Sequence, residues 1–321
     1  MIIITGAAGF IGSCIAAKFL ANGYKDLILV DDFSRPGHAP NYSQKNYREL
    51  VDRNRLFQWL TGKEKDIELI IHMGARTDTT EPSWPIFQTL NLEYSQKIWE
   101  VCSQHEIPLI YASSAATYGD GKQGFDDDPQ KMELYTPMNP YGNSKHLFDL
   151  WAMRQPETPP YWYGLKFFNV YGPNEYHKNR MASVVLHAHR QIQETGKLKL
   201  FRSHRPDFAD GEQMRDFIYV KDVADVIFFL TNHGKNSGIY NLGTGVARYF
   251  NDLGKQVFVS MGKEPDIVYI DTPLDIRDTY QYFTQANIQR LRTIGYVNKF
   301  TTLEKGVDDY VQNYLSHKKY Y

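Results

Sequence analysis

Apolar and polar positions alternate along the first half of this chain in a steady beat. Short apolar runs are each followed by a stretch whose apolar residues recur every three to four positions. Ile2-Ile3-Ile4-Thr5 is the first run, and Leu27-Ile28-Leu29-Val30, Leu69-Ile70-Ile71-His72, Leu109-Ile110-Tyr111-Ala112 and Tyr163-Gly164-Leu165-Lys166-Phe167-Phe168 follow. Runs this short and this continuous predict strands buried on both faces, as in a parallel sheet. Between them, Cys14, Ile15, Phe19 and Leu20 mark one amphipathic helix, and a second carries Asn91 and Tyr94 and ends near Pro108. A third opens at Asn139 as N-cap, with Pro140 at the first helical position, and Pro156 marks its far end. Strands alternating with helices predict an α/β fold, a doubly wound parallel sheet (Rossmann) with right-handed crossovers.

After Phe168 the beat breaks. The pattern predicts a helix from about Met181 to Glu194, then an irregular charge-rich loop from Phe201 to Met214. A strand over Arg215–Val220, a helix through Asp222–Val226, a short strand over Ile239–Leu242 and a last amphipathic helix around Val307 to Leu315 complete the chain. Two interleaved lobes are therefore expected. Residues 1–168 and 215–242 would form a dinucleotide-binding domain, and residues 169–214 and 243–321 a smaller substrate-binding domain.

Bulk properties narrow the classes. A length of 321 residues is ample for two lobes. With 36 basic and 37 acidic residues, the charge gives no case for nucleic acid or an anionic membrane as partner. No apolar run is long enough to span a bilayer. Met1 leads directly into the first strand, and Cys14 and Cys102 read as buried thiols of a reducing compartment, so a cytoplasmic protein is expected. The 23 tyrosines and 18 phenylalanines read as core and interface filler. Asp126-Asp127-Asp128 has no partner at metal-ligand spacing and reads as a solvated loop; no metal site is expected.

Candidate chemistry gathers at strand ends. Gly6-x-x-Gly9-x-x-Gly12 joins the first strand to its helix, with Phe10 and Ile11 in the opening turn. Such glycines permit a tight turn, backbone approach to a pyrophosphate and close strand–helix packing, while the helix N-terminus favours an anion. Asp31-Asp32 ends the second strand, where an acid binds a ribose hydroxyl in dinucleotide folds. Arg35 and Arg53 are candidate cations for a 2′-phosphate and favour NADP, with NAD left open by Asp31. Met73-Gly74-Ala75-Arg76 is a loop of mostly small residues at the carboxyl end of a strand, where ligands of such sheets bind. Gly243-Thr244-Gly245 lacks a third glycine and reads as a turn.

Tyr141 and Lys145 are four apart on the third helix, hence on one face. An ammonium beside a phenol favours the phenolate and so prepares a tyrosine for proton transfer. Ser114, at a strand end facing the same crevice, could bond the reacting oxygen.

The glycine fingerprint, Ser114 and Tyr141-x-x-x-Lys145 together resemble the extended short-chain dehydrogenase/reductase superfamily over nearly the whole chain. Within it, Tyr111-Ala112-Ser113-Ser114-Ala115-Ala116-Thr117-Tyr118-Gly119, Phe168-Asn169-Val170-Tyr171-Gly172-Pro173 and especially His177-Lys178-x-x-Met181-Ala182-Ser183 are similar to the ADP-L-glycero-D-manno-heptose 6-epimerase family. Asn241-Leu242-Gly243-Thr244-Gly245 and Tyr280-Gln281-x-Phe283-Thr284-Gln285-Ala286 share that similarity. The resemblance implies that bound NADP takes hydride from C6″ of ADP-D-glycero-D-manno-heptose and returns it to the opposite face of a transient ketone, making a precursor of lipopolysaccharide core heptose.

Tyr141 and Lys178 would then be the acid/base groups of the two faces, with Lys145 supporting Tyr141; the plainer role for Lys178 is a phosphate- or ribose-binding cation. The same resemblance places Asn91, Lys145, Val170 and Lys178 with the fingerprint residues at the cofactor. It places Ser114, Asn169, Arg180, His187, Phe201, Arg202, His204, Arg215 and Tyr280 at the sugar nucleotide, Arg215 facing the diphosphate. It also implies a homo-oligomer, pentamers being frequent in the family. The sequence departs from the family in lacking a lysine after Asp32, in having Arg180 where a small polar residue is usual, and in its longer Arg202–Met214 loop. The alternatives are another nucleotide-sugar epimerase, such as a UDP-hexose 4-epimerase, which would not need Lys178, and a non-catalytic NADP-binding sensor, which would not need Ser114, Tyr141 and Lys145 together. A dehydratase would place an Asp-Glu pair where Ala116-Thr117 stand.

Overall fold

In the computed structural model, which describes residues 1–277 and 280–321, twelve strands and eleven α-helices are found among the described residues. The strands are β1 (Ile2–Thr5), β2 (Leu27–Asp31), β3 (Glu49–Asp52), β4 (Leu69–His72), β5 (Leu109–Ser114), β6 (Trp162–Phe167), β7 (Asn169–Tyr171), β8 (Leu198–Phe201), β9 (Met214–Tyr219), β10 (Gly238–Leu242), β11 (Ala247–Tyr249) and β12 (Ile267–Ile270). The helices are α1 (Phe10–Ala21), α2 (Leu56–Leu60), α3 (Trp84–Phe87), α4 (Tyr94–Gln104), α5 (Pro140–Met153), α6 (Val184–Thr195), α7 (Val220–His233), α8 (Phe250–Ser260), α9 (Leu274–Arg277), α10 (Gln289–Thr293) and α11 (Leu303–Asn313).

Seven parallel strands lie in the order β10-β6-β5-β4-β1-β2-β3. The order reverses direction between β1 and β4, which opens a crevice at the carboxyl ends of those strands. Alternate residues of each strand feed opposite faces. Ile2, Ile4, Leu27, Leu29, Leu69 and Ile71 pack with Ile15 and Phe19 of α1 and Val223 and Ile227 of α7. Ile3, Ile28, Val30, Ile70 and Leu109 pack with Ile98 and Trp99 of α4 and Phe148 of α5 on the other face. Because both faces are covered, the strand runs are apolar throughout, and the doubly wound parallel sheet expected from the sequence is what forms.

The smaller part holds a three-stranded sheet, β11-β9-β7, and a parallel pair, β12-β8. Its core is built by α6, α8 and α11 around Leu186, Ile192, Val257, Phe258 and Tyr310. Strand β9 itself lies in this small sheet, while α7 and β10 return to the large one. Strands β3, β7, β8, β11 and β12 were not expected; each is three or four residues long, and all but the apolar β12 mix polar with apolar positions, so no long run announces them. No helix among the described residues is long and apolar enough to cross a membrane.

Two local expectations are corrected. The segment carrying Asn91 is not plain α-helix: Gln88–Glu93 winds as a π-helix between α3 and α4, and Asn91 is buried in it. The acidic loop is not simply solvated. Asp127 is fully buried, its Oδ2 accepts the Asn241 backbone N–H at 2.7 Å, and burial pushes its carboxyl up to about 6. Asn139 does cap α5 through Oδ1, which accepts the Gly142 N–H at 2.8 Å.

Candidate active site

A cleft of about 770 Å³ runs along the carboxyl ends of the strands. Of the residues expected from the sequence, Gly6, Gly9, Phe10, Ile11, Gly12, Asp31, Arg35, Arg53, Met73, Gly74, Ala75, Arg76, Ser114, Tyr141, Lys145, Asn169, Val170, Lys178 and Arg180 all line it. One cavity thus collects side chains spread over 175 positions of sequence. Asp32, Asn91, His187, Phe201, Arg202, His204, Arg215 and Tyr280 are not in its wall.

The glycine turn is shaped by close backbone approach. Gly6 sits at φ +66°, and a Cβ there would lie 2.7 Å from the Gly74 nitrogen; a Cβ on Gly12 would lie 2.2 Å from the Gly6 oxygen. Side chains are excluded at Gly6 and Gly12, so the backbone of the turn and the N-terminus of α1 pack closely at the cleft. At the adenosine-like end, Asp31 is 9% exposed and accepts the Ala8 N–H at 2.9 Å and the Asp32 N–H at 2.7 Å. Arg35 Nε and Arg53 Nη2 stand 3.5 and 3.6 Å from Asp32 Oδ2.

Among the described residues, three buried cleft nitrogens have no protein partner: the guanidinium N–H donors Arg53 Nε and Arg76 Nε, and His38 Nδ1, whose role depends on the tautomer. Buried guanidinium donors without partners are costly and point to a ligand with acceptors. Together with the glycine cradle they fit a dinucleotide. His38 is a residue the sequence reading missed. Its ring rests on His177 at 4.0 Å between centroids, and burial lowers the ring pKa of both, that of His177 to about 3.

Asn91 acts from behind the wall. Its amide donates to the Arg76 carbonyl at 3.0 Å and to Ser144 Oγ at 2.9 Å, and its Oδ1 accepts the Arg76 N–H at 2.7 Å. Ser144 in turn donates to the Tyr141 carbonyl at 2.7 Å. One buried amide therefore joins the loop after β4 to the first turn of α5.

Tyr141 and Lys145 share a face of α5. Tyr141 is hydrogen-bonded to Ser114; burial holds its phenol above the ordinary value, and the Ser114 bond pulls it back down. Lys145 is 4% exposed, donates to the Ala112 carbonyl at 2.8 Å, and is pushed down to about 8 by burial. Behind them lies an ion pair with both side chains fully buried, Lys166 Nζ to Asp149 Oδ2 at 2.6 Å. Asp149 also accepts from Ser113 Oγ at 2.6 Å and Tyr111 OH at 3.1 Å. Lys166 donates to Thr117 Oγ1 at 2.7 Å, and Thr117 donates to the Ser114 carbonyl at 2.8 Å. Sequence reading missed this pair, because a lysine in an apolar strand shows no sign of its partner 17 residues away.

Lys178 lines the same cleft from a different element, a 3-10 turn spanning Tyr176–Met181. Its ammonium lies 5.6 Å from the ring centroid of Phe10, beside the glycine turn. Burial lowers its pKa and the Glu175 carboxylate opposes the shift. Arg180 is exposed at the rim, its charge felt by Asp78.

The remaining expected residues group apart. Arg215 is buried, donates to the Met214 and Gln281 carbonyls, and lies between the rings of Phe250 and Tyr280, at 5.6 and 5.3 Å. Phe250 does line the cleft, so Arg215 sits one ring behind its wall. Phe201 meets Tyr280 edge-on at 5.8 Å, and His187 is half-buried on α6. Arg202 is exposed and paired with Asp210 and Asp271 at 3.5 and 3.0 Å, while exposed His204 accepts the Thr272 N–H at 3.2 Å.

Residues 2–243 match the model of the NAD dependent epimerase/dehydratase family. The chain is 45% identical, over the full length of both, to an ADP-L-glycero-D-manno-heptose-6-epimerase of Fusobacterium nucleatum. It is 39% identical to one of Alkalilimnicola ehrlichii, covering 97% of this chain and 96% of that protein. Among solved structures, the Helicobacter pylori ADP-L-glycero-D-manno-heptose-6-epimerase superposes with a TM-score of 0.83 at 29% identity, over 97% of this chain and 95% of that one.

Proposed function

We propose, for a chain that belongs to the NAD dependent epimerase/dehydratase family and within it to the ADP-L-glycero-D-manno-heptose-6-epimerases, that it inverts C6″ of ADP-D-glycero-D-manno-heptose using a bound nicotinamide dinucleotide. The observation that carries this reading is one cleft lined by Tyr141 of α5, hydrogen-bonded to Ser114 of β5, and by a partly desolvated Lys178 from a separate loop. Inversion by oxidation and re-reduction needs a proton acceptor and donor on each face of the same carbon.

The dinucleotide, when bound, supplies reversible hydride acceptance. The chain supplies the rest. Gly6, Gly9 and Gly12 hold the pyrophosphate on the N-terminus of α1. Ser114 and Tyr141 bond the C6″ oxygen, and Tyr141 Oη takes or returns its proton while the Lys145 ammonium favours the phenolate. Lys178 Nζ moves the proton when the C6″ oxygen faces the other way. Lowering of the Lys178 pKa by burial brings the neutral amine within reach. Arg215, one ring behind the cleft wall at Phe250, and Phe201, Tyr280 and His187 are the candidates for the outer, sugar-nucleotide end of the site.

NADP is the preferred cofactor in this reading, supported by the two arginines beside Asp32. Arg53→Ala should weaken NADP about tenfold or more, as loss of a charge-assisted hydrogen bond does, and leave NAD unchanged; isothermal titration reads both. The decisive experiment follows ADP-D-glycero-D-manno-heptose by NMR with purified protein and no added cofactor. Appearance of an equilibrium mixture of C6″ epimers is expected. No conversion, even with NADP and then NAD supplied, would remove the heptose assignment and move the search to other sugar nucleotides.

A further inference from the structure

Lys178 sits in the middle of a loop whose two ends are tied by a single side chain. Glu175 is 1% exposed. One carboxylate oxygen accepts the Ser183 backbone N–H at 2.6 Å and the other accepts the Ser183 hydroxyl at 2.5 Å. The Glu175 carbonyl accepts the Lys178 N–H at 3.0 Å. Ser183 is also the N-cap of α6, its Oγ accepting the Leu186 N–H at 3.3 Å. The carboxylate thus spans the gap from the start of the loop to the start of a helix.

The loop needs such a tie. Asn174 and Asn179 both have positive φ, +75° and +46°, conformations costly for residues other than glycine and held only by surrounding contacts. Asn174 is anchored by its own amide to Ser13 Oγ at 2.9 Å. Asn179 and Arg180 are exposed, and the Asn179 carbonyl accepts the Ala182 N–H at 3.1 Å. The charged bonds of Glu175 to Ser183 join the anchored start of the segment to α6.

We propose that Glu175 is a positioning residue: its carboxylate staples the ends of the 175–183 loop and thereby delivers Lys178 into the cleft. The proposal rests on the reading of Lys178 as an acid/base group and names what places it. The groups facing Glu175 are Lys178 and Tyr176 on its own loop, Cys14 on α1 and Tyr310 on α11; His177 also faces Lys178. Lys178 is the cation among them, so the carboxylate has a second effect, favouring the ammonium form.

The test compares Glu175→Gln and Ser183→Ala with wild type. Tryptic cleavage after Lys178 or Arg180 reports loop opening without reference to activity. Both variants should be cut about tenfold faster or more, the population change expected when charge-assisted bonds close a local opening. The double variant should be cut less fast than the product of the two single effects, because the hydroxyl bond that Ser183→Ala removes is one of the two that Glu175→Gln weakens. In Glu175→Gln the turnover limb that titrates Lys178 should also move to lower pH, since a neutral amide no longer favours the ammonium. Ser183→Ala keeps the carboxylate and should leave that limb in place. Cleavage of both variants no faster than wild type overturns the staple. Full turnover in Lys178→Ala overturns instead the catalytic reading of Lys178, and the cleavage comparison still decides the staple.

Discussion

Tyr141 and Lys178 line the same cleft but are held by different kinds of structure. Tyr141 rides on α5, a helix of 14 residues capped by Asn139, and is backed by β5 and a fully buried ion pair. Lys178 rides on a 3-10 turn of six residues interrupted by a positive φ. The first wall is rigid because regular hydrogen bonding and packing on a sheet fix every position of the helix. The second wall takes its shape from a few long-range bonds. On the proposed reaction, in which a substrate turns between two faces, a helix-borne group and a loop-borne one make a workable division: one defines the geometry and the other can admit and release substrate.

The largest effect that would break this comparison is on the rigid wall itself. Tyr141→Phe keeps the ring and its packing and should lose about 10²–10⁴-fold in turnover, the usual range for removing a general acid/base, with cofactor affinity retained. Steady-state kinetics and cofactor titration measure both. Undiminished turnover would overturn the catalytic assignment of Tyr141.

Next in size is the support behind that wall. Asp149→Ala leaves Lys166 charged and unpaired in the core and should destabilise the fold by about 3–5 kcal/mol in urea unfolding. The double change Asp149→Leu with Lys166→Met should recover most of that stability, because an apolar pair carries no buried charge. If turnover stays low in the refolded double variant, the ion pair orients Ser114 as well as stabilising the sheet.

The smallest effect is on protonation. Burial brings Lys145 down to about 8 from 10.5. Its ammonium is therefore present below that pH and lost as pH rises through it, and with it the support for a Tyr141 phenolate. Turnover should fall above about pH 8, and the fall should be absent in a Lys145→Met variant, whose residual rate lacks that charge at every pH. A limb that persists in Lys145→Met would belong to another group, Lys178 first among them.

Local physics carried much of this protein into view from the chain alone. Continuous apolar runs declared the large sheet, since a strand buried on both faces has no polar side to show. The glycine spacing, the Asn139-Pro140 cap and Tyr141-x-x-x-Lys145 are all read within one turn or one helix, so Gly6, Tyr141, Lys145 and their neighbours reach the cleft as the sequence implies. Long-range partnership stayed hidden. The π-helical turn that buries Asn91, the stacking of His38 on His177, the pairing of Lys166 with Asp149 and the burial of Asp127 all depend on which distant segments arrive beside them. A side chain's periodicity is set by its own backbone, but its desolvation and its partner are set by the whole fold. For that reason the sequence alone marked Lys178 as a residue of interest, and only the tertiary structure showed it partly buried on Phe10, with Glu175 closing the loop beneath it.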